Sequence, residues 1–398
     1  MMKSRQSAPW RCWGTGLDPA AMAQMECAAA LPVAVRGALM PDAHTGYGLP
    51  IGGVLATAGA VIPYAVGVDI ACRMRLTVLD LPPEALDRQR DRFRDTLRRA
   101  TRFGVGAAFA PGERCEHPVM DEDWHISPVT RAGKDKAWSQ LGTSGSGNHF
   151  VEFGILTLEQ PALDLTPGRY LALLSHSGSR GVGSDVAEHY SRVAMQQHSG
   201  LPTDMRHLAW LDLTEPAGRE YWTAMELMGR YAAANHALSH GRILRLVGAR
   251  ERAQVENHHN YAWLERHDGR ELVVHRKGAT PAGKGALGMI PGTMAAPGFV
   301  VRGRGHPGSL NSAAHGAGRR MSRTQARKRL QRDEWHARLA KAGVELMAAD
   351  IDEAPMAYKD IEEVMRAQAD LVEIVARFDP RLVLMAPGRA VRRAGCSR

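Results

Sequence analysis

Cysteine is the first thing this chain has little of: Cys12, Cys27, Cys72, Cys115 and Cys396 are the five in 398 residues, too few and odd in number for a disulfide framework. A reducing, cytoplasmic setting is the expectation. Long apolar runs are missing too. The opening Met1 to Ser7 leads into Trp10 and Trp13 rather than an apolar core of a secretory leader, and Ala20 to Val35 is broken by Gln24, Glu26 and Pro32. Neither a membrane span nor a secretion signal is expected. There is no internal repeat and no linker long enough to divide the chain, which argues for one domain over residues 1–398 ending in a basic tail at about 386–398.

What the chain does have is length, a 44% hydrophobic content sufficient for a large core, and a net charge of +9. That balance favours polyanion partners. The excess is concentrated: Arg319, Arg320, Arg323, Arg327, Lys328, Arg329 and Arg332 crowd one stretch, where a phosphate backbone would be held if the run is more than a solvated helix face.

Side chains able to bind metal recur in short glycine-punctuated motifs. These are Gly67-Val68-Asp69-Ile70-Ala71-Cys72, Gly145-Ser146-Gly147-Asn148-His149-Phe150, Ser175-His176-Ser177-Gly178-Ser179-Arg180-Gly181 and Asn257-His258-His259-Asn260. A further box, Ala314-His315-Gly316-Ala317-Gly318-Arg319, adds one histidine. Flanking glycines let backbone approach a ligand closely and seldom serve packing. A mixed thiolate, imidazole, carboxylate and amide set suits manganese, iron or zinc better than calcium. Asp69, Cys72, Asn148, His149, His176 and His259 are more donors than one tetrahedral site can use, so two adjacent ions sharing the thiolate are expected.

His315 fits the role of a nucleophile toward phosphorus, provided cationic groups neutralise the phosphate. Gly316-Ala317-Gly318 can present backbone N–H groups to an anion and Arg319 a forked partner. The pattern points to metal-dependent phosphoryl transfer. Taken singly, His176 would be a hydrogen-bonded structural residue and Cys72 a small buried hydrophobe; the joint pattern outweighs both. Asp42 and His44 fit either a contact to the metal centre or RNA, or a structural turn. His236, His240 and His306 are assigned to surface or core. Gly278 to Gly285 has P-loop spacing, but glycine follows Lys284 where a hydroxyl should meet magnesium, and Pro291 and Pro297 exclude the long helix that motif needs.

The ordered set of boxes resembles the RtcB-type RNA ligases over most of the chain. It starts at Met40-Pro41-Asp42-Ala43-His44-Thr45-Gly46-Tyr47-Gly48. It continues through the five motifs, Arg276-Lys277-Gly278-Ala279 and Pro291-Gly292-Thr293-Met294 to Ala357-Tyr358-Lys359-Asp360. The resemblance implies joining of an RNA 3′-phosphate or 2′,3′-cyclic phosphate to a 5′-hydroxyl, as in tRNA splicing or RNA repair, using GTP and two manganese ions. It makes Cys72 the shared thiolate, with His149 and His176 completing one site and Asp69 with His259 the other. It makes His315 the histidine that becomes covalently guanylylated. Asn148, Glu152, Arg319 and Tyr358 would contact the guanylate, with the Pro291-Gly292-Thr293-Met294 turn and Gly316, Ala317 and Gly318 beside it. An archease-like activating protein is a partner that this resemblance brings with it.

The chain departs from the family pattern at Ala71 and Arg73 around the cysteine, at Thr293 and Ala295 to Gly298 in the guanylate turn, and at Leu384-Met385-Ala386, where a terminal lysine would reach the base. Looser discrimination of GTP from ATP is therefore expected. Two alternatives share the metal set: a binuclear phosphoesterase acting on RNA ends, and a catalytically weak RNA-binding relative.

Hydrophobic periodicity predicts strands around Met74 to Val78, Arg169 to Leu174, Leu272 to His275 and Phe299 to Val301. Helices are predicted over about Pro83 to Thr101, Ser184 to His198, Glu215 to Val247, Ser322 to Met347 and Tyr358 to Phe378. Ser322 with Gln325 reads as a capping box. The fold class that follows is α+β, mixed sheets with helical insertions and an active site on strand-end loops.

Overall fold

The computed structural model describes residues 7–388; most of the expected basic tail lies outside them. The architecture is α+β. Its centre is an eight-stranded sheet in which Val372–Met385, Phe150–Leu158, Gly168–Ser177, Arg73–Leu79 and Glu251–His258 lie side by side, every neighbouring pair antiparallel. Antiparallel pairing brings together one strand's start and the next one's end. In the register, Arg73 faces both Ser177 and His258, and Phe150 faces His176. The Cys72, His149, His176 and His259 motifs thus meet at one sheet edge, though the chain separates them widely.

Alternation along each strand divides the sheet into two faces. On one face, Leu171, Leu173, Val151 and Phe153 pack with Phe93, Leu97 and Ile243 of helices Arg90–Ala100 and Pro216–Val247. The opposite face carries Met74, Leu76, Val78, Leu174, Val300 and Phe378 in a second apolar layer. The long helix Pro216–Val247 begins on a proline and stops at Gly248, left-handed at φ +63°. Its Asn235 accepts from the Gly142 N–H at 2.7 Å and donates to the Thr143 carbonyl at 3.1 Å, fixing the approach to the Asn148-His149 motif.

A five-stranded sheet, Trp10–Cys12, Ala34–His44, Ile51–Thr57, Arg270–Lys277 and Asn260–His267 in spatial order, supplies the other wall. Inside it Arg276, fully buried, forms a forked ion pair with Glu265 and donates to the Leu310 carbonyl at 2.8 Å and the Ser312 hydroxyl at 2.7 Å. It thereby anchors the segment leading to the short strand Ser312–Ala314, after which comes His315.

The four predicted strands and the helix over Glu215 to Val247 are present, and the Ser322–Gln325 capping box forms. Three helical expectations need correction. Pro83 to Thr101 divides into Ala85–Arg88 and Arg90–Ala100. Ser322 to Met347 breaks into Arg323–Arg329, Arg332–Ala342 and a strand, Glu345–Ala348. Tyr358 to Phe378 contains one short helix, Ile361–Ala367, and then enters the 14-residue strand Val372–Met385. In that strand the β-branched residues Val372, Ile374 and Val375 pack by sheet pairing, and tertiary pairing overrides a spacing that also fits a helix. The P-loop spacing at Gly278 leads into strands Ala279–Pro281 and Leu287–Ile290, with no helix.

Candidate metal and nucleotide site

Cys72 stands at the centre of the sheet edge, its Sγ 3.1 Å from His176 Nε2 and 3.4 Å from His149 Nε2. His149 Nε2 lies 3.0 Å from Asp69 Oδ2, and His176 Nε2 lies 3.2 Å from His259 Nε2. All five expected donors are together. Each ring has its outer nitrogen engaged or enclosed: the His176 Nδ1–H donates to the Asn148 carbonyl, Arg180 donates to His149 Nδ1, and His259 Nδ1 is buried without a partner. Such outer contacts orient metal-binding imidazoles. Gly178 permits the crowding, since a Cβ there would lie 2.2 Å from Asp69 Oδ1.

Electrostatics fit a cation. Burial, aided by the Asp69 charge, pushes the Cys72 thiol well above its ordinary range. Burial alone would also raise Asp69, but the hydrogen bond and charge of His149 prevail and hold it low, near 2. Burial first, and His149 second, lowers His176 to about 3, and His259 is pushed well below its usual value. Neutral imidazole nitrogens directed at one another, beside a carboxylate and a thiol, form an arrangement that a bound cation completes. Among the described residues, Cys72, His149 and His176 form a group whose ligand atoms lie within 4.8 Å of one another.

His315 adjoins this cluster, its ring centroid 4.9 Å from that of His259. Asp42, fully buried, accepts from the His315 backbone N–H at 3.1 Å and from its Nδ1–H at 2.7 Å. That contact leaves Nε2 as the ring's lone-pair nitrogen. Lys359 bonds the Pro41 and Ala43 carbonyls on either side of Asp42 at 3.0 and 2.7 Å. Gly318, at φ +71°, lies so close that a Cβ would meet the Asp42 carbonyl at 2.0 Å. The sequence left Asp42 between ligand and turn; the structure makes it the partner of His315. The Met40 to Gly48 box was the available signal.

A cavity of about 310 Å³ opens from His176, His259 and His315 over the sheet face. Every residue expected to touch guanylate lines it, from Asn148 and Glu152 through Pro291 to Met294 and His315 to Arg319 to Tyr358. Phe150, Glu152, Leu174 and His176 reach it by strand alternation, as do Val383 and Met385 of the neighbouring strand. Burial raises the Glu152 carboxyl well above the usual carboxylate range. Phe378 was missed as a wall because the start of its strand was taken for a helix ending at that residue, and Val383 and Met385 because no element was expected over them.

The arginine run divides in two. Arg319 donates to the Asp352 carbonyl at 2.7 Å and to the Tyr358 hydroxyl at 3.2 Å, and Tyr358 bonds Glu353. Arg323 pairs with Asp352 and Glu353, both buried, and Arg327 with Asp350 and Asp352. These three brace the pocket rim. Arg320, Lys328, Arg329 and Arg332 are exposed. Arg73 turns away from the metal donors to pair with Glu256 and donate to the Gly229 carbonyl at 3.2 Å.

The model of the tRNA-splicing ligase RtcB family matches residues 24–386. The chain belongs to this family. It is 33% identical to the RNA-splicing ligase RtcB of Escherichia coli K12, over 93% of this chain and 95% of that protein. The RNA-splicing ligase RtcB of Mycobacterium tuberculosis H37Rv is 33% identical, over 88% and 97% respectively. The tRNA-splicing ligase RtcB of Thermococcus kodakarensis is 30% identical, over 86% of each. As an RNA-splicing ligase, the chain has RNA as its substrate, and among its described residues no helix is long and apolar enough to cross a membrane.

Proposed function

We propose that this RNA ligase works as one catalytic unit, joining 3′-phosphate or 2′,3′-cyclic phosphate ends to 5′-hydroxyl ends through guanylylated His315. The observation that carries the reading is the Asp42 to His315 contact at the head of the cavity. With Nδ1–H donated to Asp42, Nε2 can attack the α-phosphorus of GTP; an N–P bond forms, the α–β bridging P–O bond breaks and pyrophosphate leaves. Asp42 then stabilises the ring's positive charge, as a carboxylate orients and supports a catalytic imidazole elsewhere. The N–H groups around Gly316 to Gly318 and the Asn148 amide suit the phosphates. The Glu152 carboxyl, buried in the pocket wall, suits the N–H edge of guanine as a hydrogen-bond acceptor.

Two manganese ions, when bound, supply neutralisation of phosphate charge and in-line positioning of the reacting oxygens. Cys72, His149 and His176, whose ligand atoms lie within 4.8 Å of one another, would hold one ion, and Asp69 and His259, which touch His149 and His176 respectively, would hold the other with the shared sulfur. A cytoplasmic setting and an archease-like activator belong to the same reading.

Incubation with GTP and manganese should add one GMP to His315, found by intact-mass and peptide mass spectrometry. A fully metallated protein giving no adduct with GTP or ATP would leave the phosphoesterase reading standing. At equimolar nucleotide, ATP should compete measurably, since among the described residues no lysine lines the cavity and its arginines, Arg319 and Arg323, are held by Asp352 and Glu353. Loss of one base contact removes about 1 kcal/mol of discrimination.

A further inference from the structure

Of the large hydrophobic side chains left exposed among the described residues, three sit on segments beside the site: Val68 at 45% on the turn that carries Asp69, Val105 at 83% on a loop bonded to the Gly145 turn, and Tyr47 at 71% on the Asp42 loop. Val68 precedes Asp69. Val105 tips the loop whose Gly104 N–H bonds the Gly145 carbonyl, beside His149. Tyr47 belongs to the Asp42 loop, and its carbonyl receives the ammonium of Lys277, whose next residue, Gly278, packs on His315. Lys277 also runs beside Gly67, so it connects the Tyr47 loop to the Asp69 turn.

The backbone around Tyr47 is fixed on every side while its ring is left out. Thr45 donates to Asp18 at 2.7 Å, Gly46 is bonded both ways by the Gln24 amide, and a Cβ on Gly48 would meet the His207 carbonyl at 2.6 Å. The ring meets His207 edge-on at 5.8 Å, and His207 in turn meets Tyr64 at 4.5 Å. Arg206 is exposed next to them. A rigidly presented aromatic face, backed by further rings and flanked by a cation, is the form of a nucleobase platform. Tyr47 contributes nothing to the core that would explain the bracing.

We propose that Tyr47 is the stacking seat for an unpaired nucleobase at one of the two RNA ends, holding that end against the metal centre while the exposed arginines take phosphate. The proposal rests on the ligase reading above.

The test uses the full chain, metallated, with two RNA oligonucleotides carrying the 3′-phosphate and 5′-hydroxyl, and with an abasic residue at either terminus. Tyr47→Ala should raise the RNA KM about tenfold, the scale of one lost base–aromatic stack, while Tyr47→Phe stays close to the parent. An abasic residue at the seated end should raise the parent's KM equally and add nothing in Tyr47→Ala, which also identifies the end. Unchanged KM in Tyr47→Ala, or full additivity at both termini, overturns the proposal. Formation of the His315 adduct, which needs no RNA, reports whether the variant is folded. If Tyr47→Ala fails there, the abasic substrates with the parent protein still decide, since indifference to both lesions overturns the seat. Absence of ligation and adduct in the parent would instead count against the ligase mechanism.

Discussion

Ser175 and His176 are neighbours on one strand, point to opposite faces of the same sheet, and belong to two buried histidine clusters of different kinds. On the cavity side, His176 meets His259 nitrogen to nitrogen at 3.2 Å beside Cys72, with no hydroxyl between them. On the helix side, the Ser175 hydroxyl lies between His236 Nδ1 at 2.9 Å and His240 Nε2 at 2.7 Å, and Thr77 meets His240 Nδ1 at 2.8 Å. Burial drives His176 and His259 on one side, and His236 and His240 on the other, well below their ordinary range. Depressed basicity therefore does not tell a ligand from a structural residue. What separates them is the company of each nitrogen: hydroxyls, which donate or accept as needed, meet His236 Nδ1 and both nitrogens of His240, leaving His236 Nε2 buried, whereas the facing nitrogens of His176 and His259 beside Cys72 suit a cation.

The comparison breaks most visibly at Cys72. Cys72→Ala should lose both ions and all ligation above background, because its sulfur would serve both sites, whereas His176→Ala should keep roughly one ion of two. Elemental analysis of the purified variants measures this. Partial and equal loss in both would show that the thiolate is not shared.

Thr77→Val tests the other face at smaller scale. The substitution keeps shape and removes the partner of His240 Nδ1, so it should cost about 1–2 kcal/mol in urea denaturation. Metal content should not change. If manganese were lost as well, the helix-side cluster would be part of the metal centre, and the distinction drawn from hydroxyl partners would fail.

The same distinction explains what was legible in the sequence. Which side chains gather at the site was readable, because glycine-punctuated motifs such as Gly67 to Cys72 bring their own local geometry, and His236 and His240 could be set apart as surface or core residues. Contacts among the donors were readable only in part: the resemblance grouped His149 and His176 with Cys72, and the three lie together, but that Asp69 meets His149, and His259 meets His176, follows from how segments far apart in sequence are brought together by the sheet. Asp42 stayed ambiguous for a similar reason, since its meaning depends on a contact with His315 across the chain. The wall built by Phe378, Val383 and Met385 was hidden more deeply. Ile361, Val364 and Met365 do form the expected helix, but the apolar spacing that continues through Val372 and Val375 belongs to a strand set by pairing with Phe150–Leu158.

The smallest effect concerns the turn that delivers both Asp69 and Cys72. Ala71 sits between them at φ +57°, a left-handed conformation, with its N–H bonded to the Asn260 carbonyl at 2.7 Å. A side chain there costs about 1–2 kcal/mol. Its methyl is fully buried in the core beneath the metal centre, which returns about 0.8 kcal/mol. Glycine would relieve the strain but lose the methyl contact and gain disorder in the unfolded chain, the latter worth about 0.5–1 kcal/mol. These contributions nearly cancel. Ala71→Gly should therefore shift stability by less than about 0.5 kcal/mol and leave the metal count as it is. Destabilisation beyond about 1.5 kcal/mol would mean that the methyl, rather than the Asn260 bond, holds the turn in place.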